Sequence, residues 1–214
     1  MSGAYARLYL VRHGETSNVQ NEAPRYGGHI DVDLSPRGIR QIERIAQYLA
    51  AMHIASVYSS DLTRSIKSAS IIAARHRIKA VSLEGLREVG QGSWEGLTYE
   101  EVLERYPEEA KKRFSDFVNY RAPGGENLLD ARKRVIPTLK ELIRINQGKE
   151  FVIVGHGGVN ILILHDALGL DLKDFFRIRQ DFGCLNIIDY YEDSAVVRMM
   201  NGFTEGLWGS LLKA

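Results

Sequence analysis

The sequence predicts an α/β protein, a three-layer α/β/α sandwich with a mostly parallel sheet. Short apolar runs typical of buried strands alternate with longer segments in which apolar residues recur at steps of three and four. Two of these runs, residues 8–11 and 152–154, are followed closely by a histidine beside glycine. Because ligands bind beyond the carboxyl ends of parallel strands, we expect the two histidines to meet at one edge of the sheet.

The composition is that of an ordinary globular protein. The chain has 214 residues, 44% apolar and 26% charged, which fits one domain over 1–214 with a sizeable core. The net charge of +1 gives no reason to expect a nucleic acid or an anionic membrane as a partner. No apolar run approaches ~18 residues, so no transmembrane helix is expected. The single cysteine, Cys184, excludes an intramolecular disulfide and fits a reducing cytoplasm.

Six segments are predicted to be strands. Four of them, at 5–12, 55–58, 80–83 and 151–154, alternate with helices, as parallel strands do. The last two, at 186–190 and 196–200, follow each other directly, so an antiparallel edge is one option for them.

The first two predicted helices carry starting signals. Ser35 and Pro36 are typical of a helix N-terminus, and Asp61 is predicted to cap the next helix. That second helix would carry Arg64 in its first turn, near a strand end and within reach of an anion. The apolar residues predicted to face the core are Ile39, Ile42, Ile45, Ala46 and Leu49 in the first helix and Leu62, Ile66, Ala69, Ile72 and Ala73 in the second.

Residues 97–125 are predicted to form a lid-like helical segment. A capping box at 98–101 opens a polar helix that ends near Tyr106 and Pro107, and a second short helix covers roughly 108–119. Five aromatic residues of this segment either pack its helices onto the body, which we favour, or line a lid: Tyr99, Tyr106, Phe114, Phe117 and Tyr120. Further helices are predicted at about 127–147, kinked at Pro137, and at 158–168.

Five short motifs resemble those of the histidine phosphatase superfamily, in its phosphoglycerate-mutase-like branch. They follow the family's order between residue 7 and about 200, as RHGET at 12–16, LSPRG at 34–38, YSSDLTRS at 58–65, LRE at 86–88 and GHG at 155–157. The resemblance implies a phosphoglycerate-mutase-like fold and an enzyme that acts on a small phosphorylated metabolite without a cofactor or a metal.

The resemblance also implies roles for five side chains. His13 would attack phosphorus and form a phosphohistidine, while Glu88 would protonate the leaving oxygen and then take a proton from water. Arg12, Arg64 and His156 would bind the phosphate oxygens. The remaining residues predicted to bind substrate are Arg25, Gly28 and Gly157.

Taken one at a time, these residues have ordinary structural explanations. Arg64 would pair with a surface carboxylate, Glu88 would be a solvated loop residue, and His156 would be a buried structural histidine. The role of His29 stays open because its loop borders the expected pocket.

Other classes of enzyme lack their defining residues in this sequence. Glycine replaces the serine of a nucleophile elbow at 155–159, no P-loop is present and no histidine pair has zinc-site spacing.

Hydrolysis is favoured over mutase activity. Val19 and Gly158 stand where the mutases carry asparagine, and 97–125 is shorter than their basic insertion. The alternatives are a cofactor-dependent phosphoglycerate mutase and a catalytically weak phosphate-binding module of the same fold. Stretches 25–31 and 179–186 resemble α-ribazole phosphatases and related broad-specificity phosphatases, which makes α-ribazole phosphate one candidate substrate. A homodimer is one option for the assembly.

Overall fold

The computed structural model describes residues 5–19 and 25–203. Its centre is a six-stranded sheet in the order β3-β2-β4-β1-β5-β6. The strands are β1 (Ala6–Arg12), β2 (Ile54–Ser59), β3 (Ala80–Ser82), β4 (Glu150–Gly155), β5 (Leu185–Tyr190) and β6 (Ala195–Gly202). The first four are mutually parallel, whereas β5 is antiparallel to both β1 and β6. The antiparallel edge, which the sequence offered as one option, is therefore present.

Six α-helices surround the sheet in the described residues. They are α1 (Pro36–Leu49), α2 (Thr63–Arg75), α3 (Tyr99–Arg105), α4 (Pro107–Ser115), α5 (Leu128–Ile145) and α6 (Gly157–Leu168). Short 3₁₀ turns occupy Ser17–Val19, Glu84–Leu86, Gly92–Trp94 and Leu172–Arg177. None of the described helices has the length and apolar character needed to cross a membrane.

The alternation of side chains along β1 builds the three layers. Leu8 and Leu10 point to the face covered by α5 and α6, whereas Tyr9 and Val11 point to the face covered by α1 and α2. A third cluster, around Trp94, holds α3 and α4 against the loop that contains Tyr26. The predicted α/β/α sandwich is confirmed.

The predicted helix starts are partly right. Ser35 caps α1 by accepting a hydrogen bond from Gly38 N, and Thr98 forms the predicted capping box at α3. Asp61 was wrongly predicted to cap α2, since its carboxylate accepts hydrogen bonds from Arg87 at 2.7 and 2.5 Å. The distant Asp31 supplies the capping carboxylate instead, accepting from the Thr63 backbone N–H at 2.7 Å.

Two predicted core residues face solvent instead. Ile39 and Ile66 are 39% and 38% exposed, whereas the other apolar positions predicted for these two helices are buried. In α2 the buried face near the N-terminus consists of Arg64, Ser65 and Ser68, which leaves Ile66 at its margin. Helix α4 ends at Ser115, short of the predicted 119, and β3 ends at Ser82.

Candidate active site

The site forms where β1 and β4 end side by side. In the parallel register of these strands Arg12 lies opposite Gly155, so the residues that follow, His13 and His156, leave the sheet together. Their rings are nearly edge-to-face, with centroids 5.0 Å apart. The predicted meeting of the two imidazoles at one sheet edge is therefore what the register produces.

The imidazole of His13 is buried and fixed in one orientation. Its Nδ1 lies 2.7 Å from the carbonyl oxygen of Gly14. A carbonyl oxygen only accepts, so Nδ1 donates and carries the ring proton, while Nε2 keeps its lone pair. Burial and the positive charges of Arg12 and Arg64 hold the pKa of His13 well below its ordinary value, which keeps the ring neutral.

Gly14 makes the turn after His13 sterically feasible. A Cβ atom on Gly14 would overlap the backbone of Gly38, and one on Gly38 would overlap the backbone of Glu15. Both motif glycines are therefore required by a close crossing of the loop over the start of α1.

Arg12 reaches the site from the last position of β1. Its Nη1 donates to the Gln180 carbonyl oxygen at 2.7 Å, and the guanidinium lies 3.8 Å above the ring centroid of Phe182. Its Nε is buried and has no hydrogen-bond partner among the described residues. Burial lowers the pKa of Arg12, and the charge of Glu88 partly offsets this effect.

Arg64 reaches the same edge from the first turn of α2. Its Nη1 donates to the Ile30 carbonyl oxygen at 2.6 Å and its Nη2 to the Gly28 carbonyl oxygen at 2.8 Å. The side chain is buried, so the explanation of Arg64 as a partner of a surface carboxylate is wrong. Three of the five guanidinium N–H groups are left for a ligand.

His156 is fully buried and precedes the first turn of α6. Its Nε2 lies 2.7 Å from Ser60 Oγ, while its Nδ1 has no hydrogen-bond partner in the described part of the chain. Burial, together with the charges around it, lowers the pKa of His156 well below its ordinary value. Ser60 thus fixes the ring while leaving one nitrogen uncommitted.

Glu88 is held against the N-terminus of α6. Its Oε2 accepts from Gly158 N at 3.1 Å, and its Oε1 accepts from Val89 N at 2.9 Å. A Cβ atom on Gly158 would lie 2.7 Å from Oε1, so glycine leaves the room that the carboxylate occupies. Glu88 is therefore an ordered, half-buried group and not a solvated loop residue.

Arg134 fixes the loop that carries Glu88. Its guanidinium donates to the carbonyl oxygens of Gly85, Arg87 and Glu88 at 3.1, 2.6 and 2.9 Å. The same group binds both carboxylate oxygens of Glu126 at 2.8 and 2.7 Å. His29, whose role the sequence left open, donates from Nε2 to the Glu88 carbonyl oxygen at 2.9 Å.

Arg12, His13, Arg64 and Glu88 line a cavity of about 330 Å³, and His156 lies buried beside them, behind its wall. Among the other predicted substrate-binding residues, Gly157 borders the cavity beside Arg12, and Gly28 presents its carbonyl oxygen to Arg64. Arg25 also borders the cavity, where its guanidinium donates to the Gly96 carbonyl oxygen and to Glu101. Other lining residues that the sequence did not single out include Arg113, Phe175, Phe176 and Phe182.

Some aromatic residues of 97–125 pack the segment onto the body of the protein, and others line the cavity. Tyr106 packs into the cluster around Trp94, and Tyr99 meets Phe114 edge-on at the surface. Phe117 and Tyr120 line the cavity. The segment is thus packed onto the body and also forms one wall of the cavity.

Comparisons with known proteins agree with this geometry. Residues 8–202 match the model of the histidine phosphatase superfamily (branch 1). The chain is 31% identical over 195 residues to phosphoserine phosphatase 1 of Hydrogenobacter thermophilus, covering 91% of this chain and 92% of that protein. It is 37% identical over 158 residues to phosphoglycerate mutase-like protein 4 of Arabidopsis thaliana, covering 72% and 68%. The α-ribazole phosphatase from Shigella flexneri superposes with a TM-score of 0.84 at 26% identity, covering 92% and 97%.

The fold and the site define a class of α/β proteins in which two histidines and two arginines converge at the carboxyl edge of a sheet. With the match over 8–202, this chain belongs to the histidine phosphatase superfamily. The predicted family, fold and enzyme class, a phosphatase of this superfamily, are confirmed.

Proposed function

We propose that this chain hydrolyses a small phosphorylated metabolite through a phosphohistidine on His13. The observation that carries the proposal is the hydrogen bond from His13 Nδ1 to the Gly14 carbonyl oxygen in a buried, cationic setting. It leaves a neutral ring with the Nε2 lone pair available for attack on phosphorus. An imidazolium could not act as this nucleophile.

The phosphate oxygens would be held by a ring of donors. Arg12 and Arg64 have uncommitted N–H groups on planar guanidinium forks, which suit phosphate better than lysine does. Nδ1 of His156 adds a third donor when it carries the ring proton. Gly157 begins α6, so the positive end of that helix also faces the site. These groups would stabilise the charge on the equatorial oxygens in the transition state.

Glu88 would move the proton in both half-reactions. In the first, His13 Nε2 bonds to phosphorus, the ester P–O bond breaks, and protonated Glu88 gives its proton to the leaving oxygen. In the second, the Glu88 carboxylate takes a proton from water as the water oxygen bonds to phosphorus. The P–N bond then breaks and releases phosphate, which restores the His13 lone pair and the Glu88 proton.

Water, and not a hydroxyl of a second substrate, would accept the phosphoryl group from His13. The mutase alternative calls for side-chain contacts that hold the dephosphorylated product while the phosphohistidine survives. The space above Gly158 is filled by the Glu88 carboxylate, and valine at position 19 offers no hydrogen bond. These features support hydrolysis.

The individual substrate is a narrower question. α-Ribazole phosphate remains a candidate from the sequence, and the Hydrogenobacter thermophilus relative is named a phosphoserine phosphatase. Arg25 and Gly28 remain predicted substrate-binding residues, since both border the cavity. The single domain with 97–125 as a lid, the homodimer and the cytoplasmic location also stay predictions; the lid is supported by Phe117 and Tyr120 in the cavity wall.

The proposal is tested by phosphate release from a panel of phosphomonoesters that includes α-ribazole phosphate, phosphoserine and 3-phosphoglycerate. We expect release that EDTA does not diminish and that His13→Ala abolishes. Turnover in His13→Ala equal to that of the wild type would remove the histidine from the chemistry.

A further inference from the structure

Arg113 lines the cavity from α4 without any role in the steps above. Its guanidinium carbon lies 5.2, 5.6 and 5.8 Å from the ring centroids of Phe117, Trp94 and Tyr26. Trp94 is fully buried and Tyr26 packs against it, so the rings that surround the cation belong to a packed cluster. The guanidinium therefore has a defined place in the cavity wall.

The charge of Arg113 is uncompensated within the described residues. Neither a hydrogen bond nor an ion pair joins Arg113 to any group at 5–19 or 25–203. The other arginines of the cavity differ, because Arg25 binds Glu101, and Arg12 and Arg64 donate to carbonyl oxygens. All five N–H donors of Arg113 are thus uncommitted.

The carboxylates of the cavity do not neutralise Arg113. Glu126 is bound by both nitrogens of the Arg134 fork, and Glu88 accepts hydrogen bonds at the start of α6. Burial lowers the pKa of Arg113, although arginine stays a cation at neutral pH. Because the guanidinium borders the cavity without a counter-ion among the described residues, an anionic ligand would form a charge-assisted contact there without displacing a protein partner.

We propose that Arg113 binds a second anionic group of the substrate, a carboxylate or a second phosphate, while Arg12 and Arg64 hold the phosphate that is cleaved. This rests on the proposed function and narrows its substrate class to phosphomonoesters that carry a second anion. A planar fork with free donors is suited to two parallel hydrogen bonds to such a group. A neutral nucleoside phosphate such as α-ribazole phosphate would leave this cation unpaired.

The test uses substrates in matched pairs. Phosphate esters of hydroxy acids of increasing chain length are each compared with the corresponding carboxamide, and diol bisphosphates with the corresponding monophosphates. In at least one of these two series, we expect the wild-type kcat/KM to be about tenfold to a hundredfold higher for the ester with the second anion than for its partner. This is the effect of one charge-assisted contact. The series that shows the preference identifies the group as carboxylate or phosphate.

Arg113→Met keeps an apolar stem of similar length but removes the five donors. We expect it to abolish the preference, so that kcat/KM falls by about tenfold to a hundredfold for the anionic esters and far less for the carboxamides. Continued hydrolysis of the carboxamides would also show that the variant folds. Arg113→Lys should keep part of the preference, since it keeps the charge and loses the fork. Arg105→Met is the matched control, because Arg105 is an exposed arginine on the neighbouring α3; it should keep the full preference.

Equal loss of both members of every pair in Arg113→Met would assign Arg113 a structural role and overturn the proposal. A wild-type chain without any preference would overturn it too, and turnover of the carboxamides would then leave the proposed hydrolysis intact. Absence of hydrolysis for every ester would contradict the proposed function as well.

Discussion

Glu88 and Gly158 are joined by a hydrogen bond of 3.1 Å, and the carboxylate occupies the room that a side chain at position 158 would fill. The missing side chain of Gly158 and the backbone N–H of the same residue thus act together on one carboxylate. The position of the proposed proton donor depends on a residue far from it in the sequence.

Gly158→Ala should displace Glu88 with little loss of stability. The added Cβ would lie 2.7 Å from Glu88 Oε1 and 3.0 Å from Val89 Cγ2, and both are side-chain ends that can shift without moving the backbone. Because misplacing a catalytic group by about 1 Å costs up to about a hundredfold, we expect kcat/KM for an alkyl phosphate to fall by about tenfold to a hundredfold. Nitrophenyl phosphate, whose leaving group needs little protonation, should be affected far less.

Glu88→Gln serves as the reference for this prediction. It should show the same dependence on the leaving group, and adding Gly158→Ala to it should have little further effect. Independent, additive losses in the double variant would show that Gly158 does not act through Glu88.

Arg64→Lys should impair turnover although it keeps the positive charge. The guanidinium holds the carbonyl oxygens of Ile30 and Gly28 and offers further donors, which an ammonium group cannot do in the same geometry. We expect a loss of about 2–4 kcal/mol in transition-state stabilisation, measured as kcat/KM. Arg144→Lys, on an exposed arginine that pairs with Glu141, is the control and should behave as the wild type. A wild-type kcat/KM in Arg64→Lys would contradict a role in phosphate binding.

Acid should destabilise the fold through His13 and His156. Burial lowers the pKa of both rings in the folded chain, whereas an unfolded histidine has a pKa of about 6.5. Below that pH the unfolded chain binds more protons, so stability present above about pH 6.5 is lost as the pH falls. Each ring contributes a slope of up to about 1.4 kcal/mol per pH unit in the free energy of unfolding.

Urea unfolding between pH 7.5 and pH 5, roughly the window set by these pKa values, measures this slope. His13→Ala and His156→Ala should each flatten it, whereas His53→Ala, on an exposed ring, should not. An unchanged slope in both site variants would show that neither ring resists protonation in the folded chain.

The mutase alternative has its own test. The filled space above Gly158 leaves no side-chain contact there for a retained product. We therefore expect 2- and 3-phosphoglycerate to be interconverted far more slowly than the best phosphomonoester is hydrolysed. Coupled assays for both activities on one preparation decide the question, and interconversion faster than phosphate release would assign the chain to the mutases.

The sequence was sufficient to predict the features that depend on residues close to one another in the chain. The apolar runs at β1 and β4, each followed by histidine and glycine, located the sheet edge, because parallel strands place their carboxyl ends together. Ser35 and Thr98 were found because a helix cap acts on residues three positions away.

Features that depend on tertiary contacts were either not predicted from the sequence or predicted wrongly. Asp61 fits a local cap but binds Arg87, while the cap of α2 comes from Asp31. The hydrogen bonds from Arg134 to the Glu88 loop could not be predicted, because the charged residues of its helix are typical of a face exposed to solvent. Arg113 likewise gave no signal, since its uncompensated charge is visible only once the neighbouring rings are in place.

The central claim is that the phosphoryl group is transferred to His13 before it reaches water. Trapping this phosphohistidine tests the claim most directly. The chain would be mixed with a phosphomonoester labelled at phosphorus and quenched rapidly without acid. We expect a labelled protein whose bond is labile in acid and stable in base, with the label on His13 and none in His13→Ala. Rapid turnover with no labelled protein at any quench time, or full labelling of His13→Ala, would contradict the account.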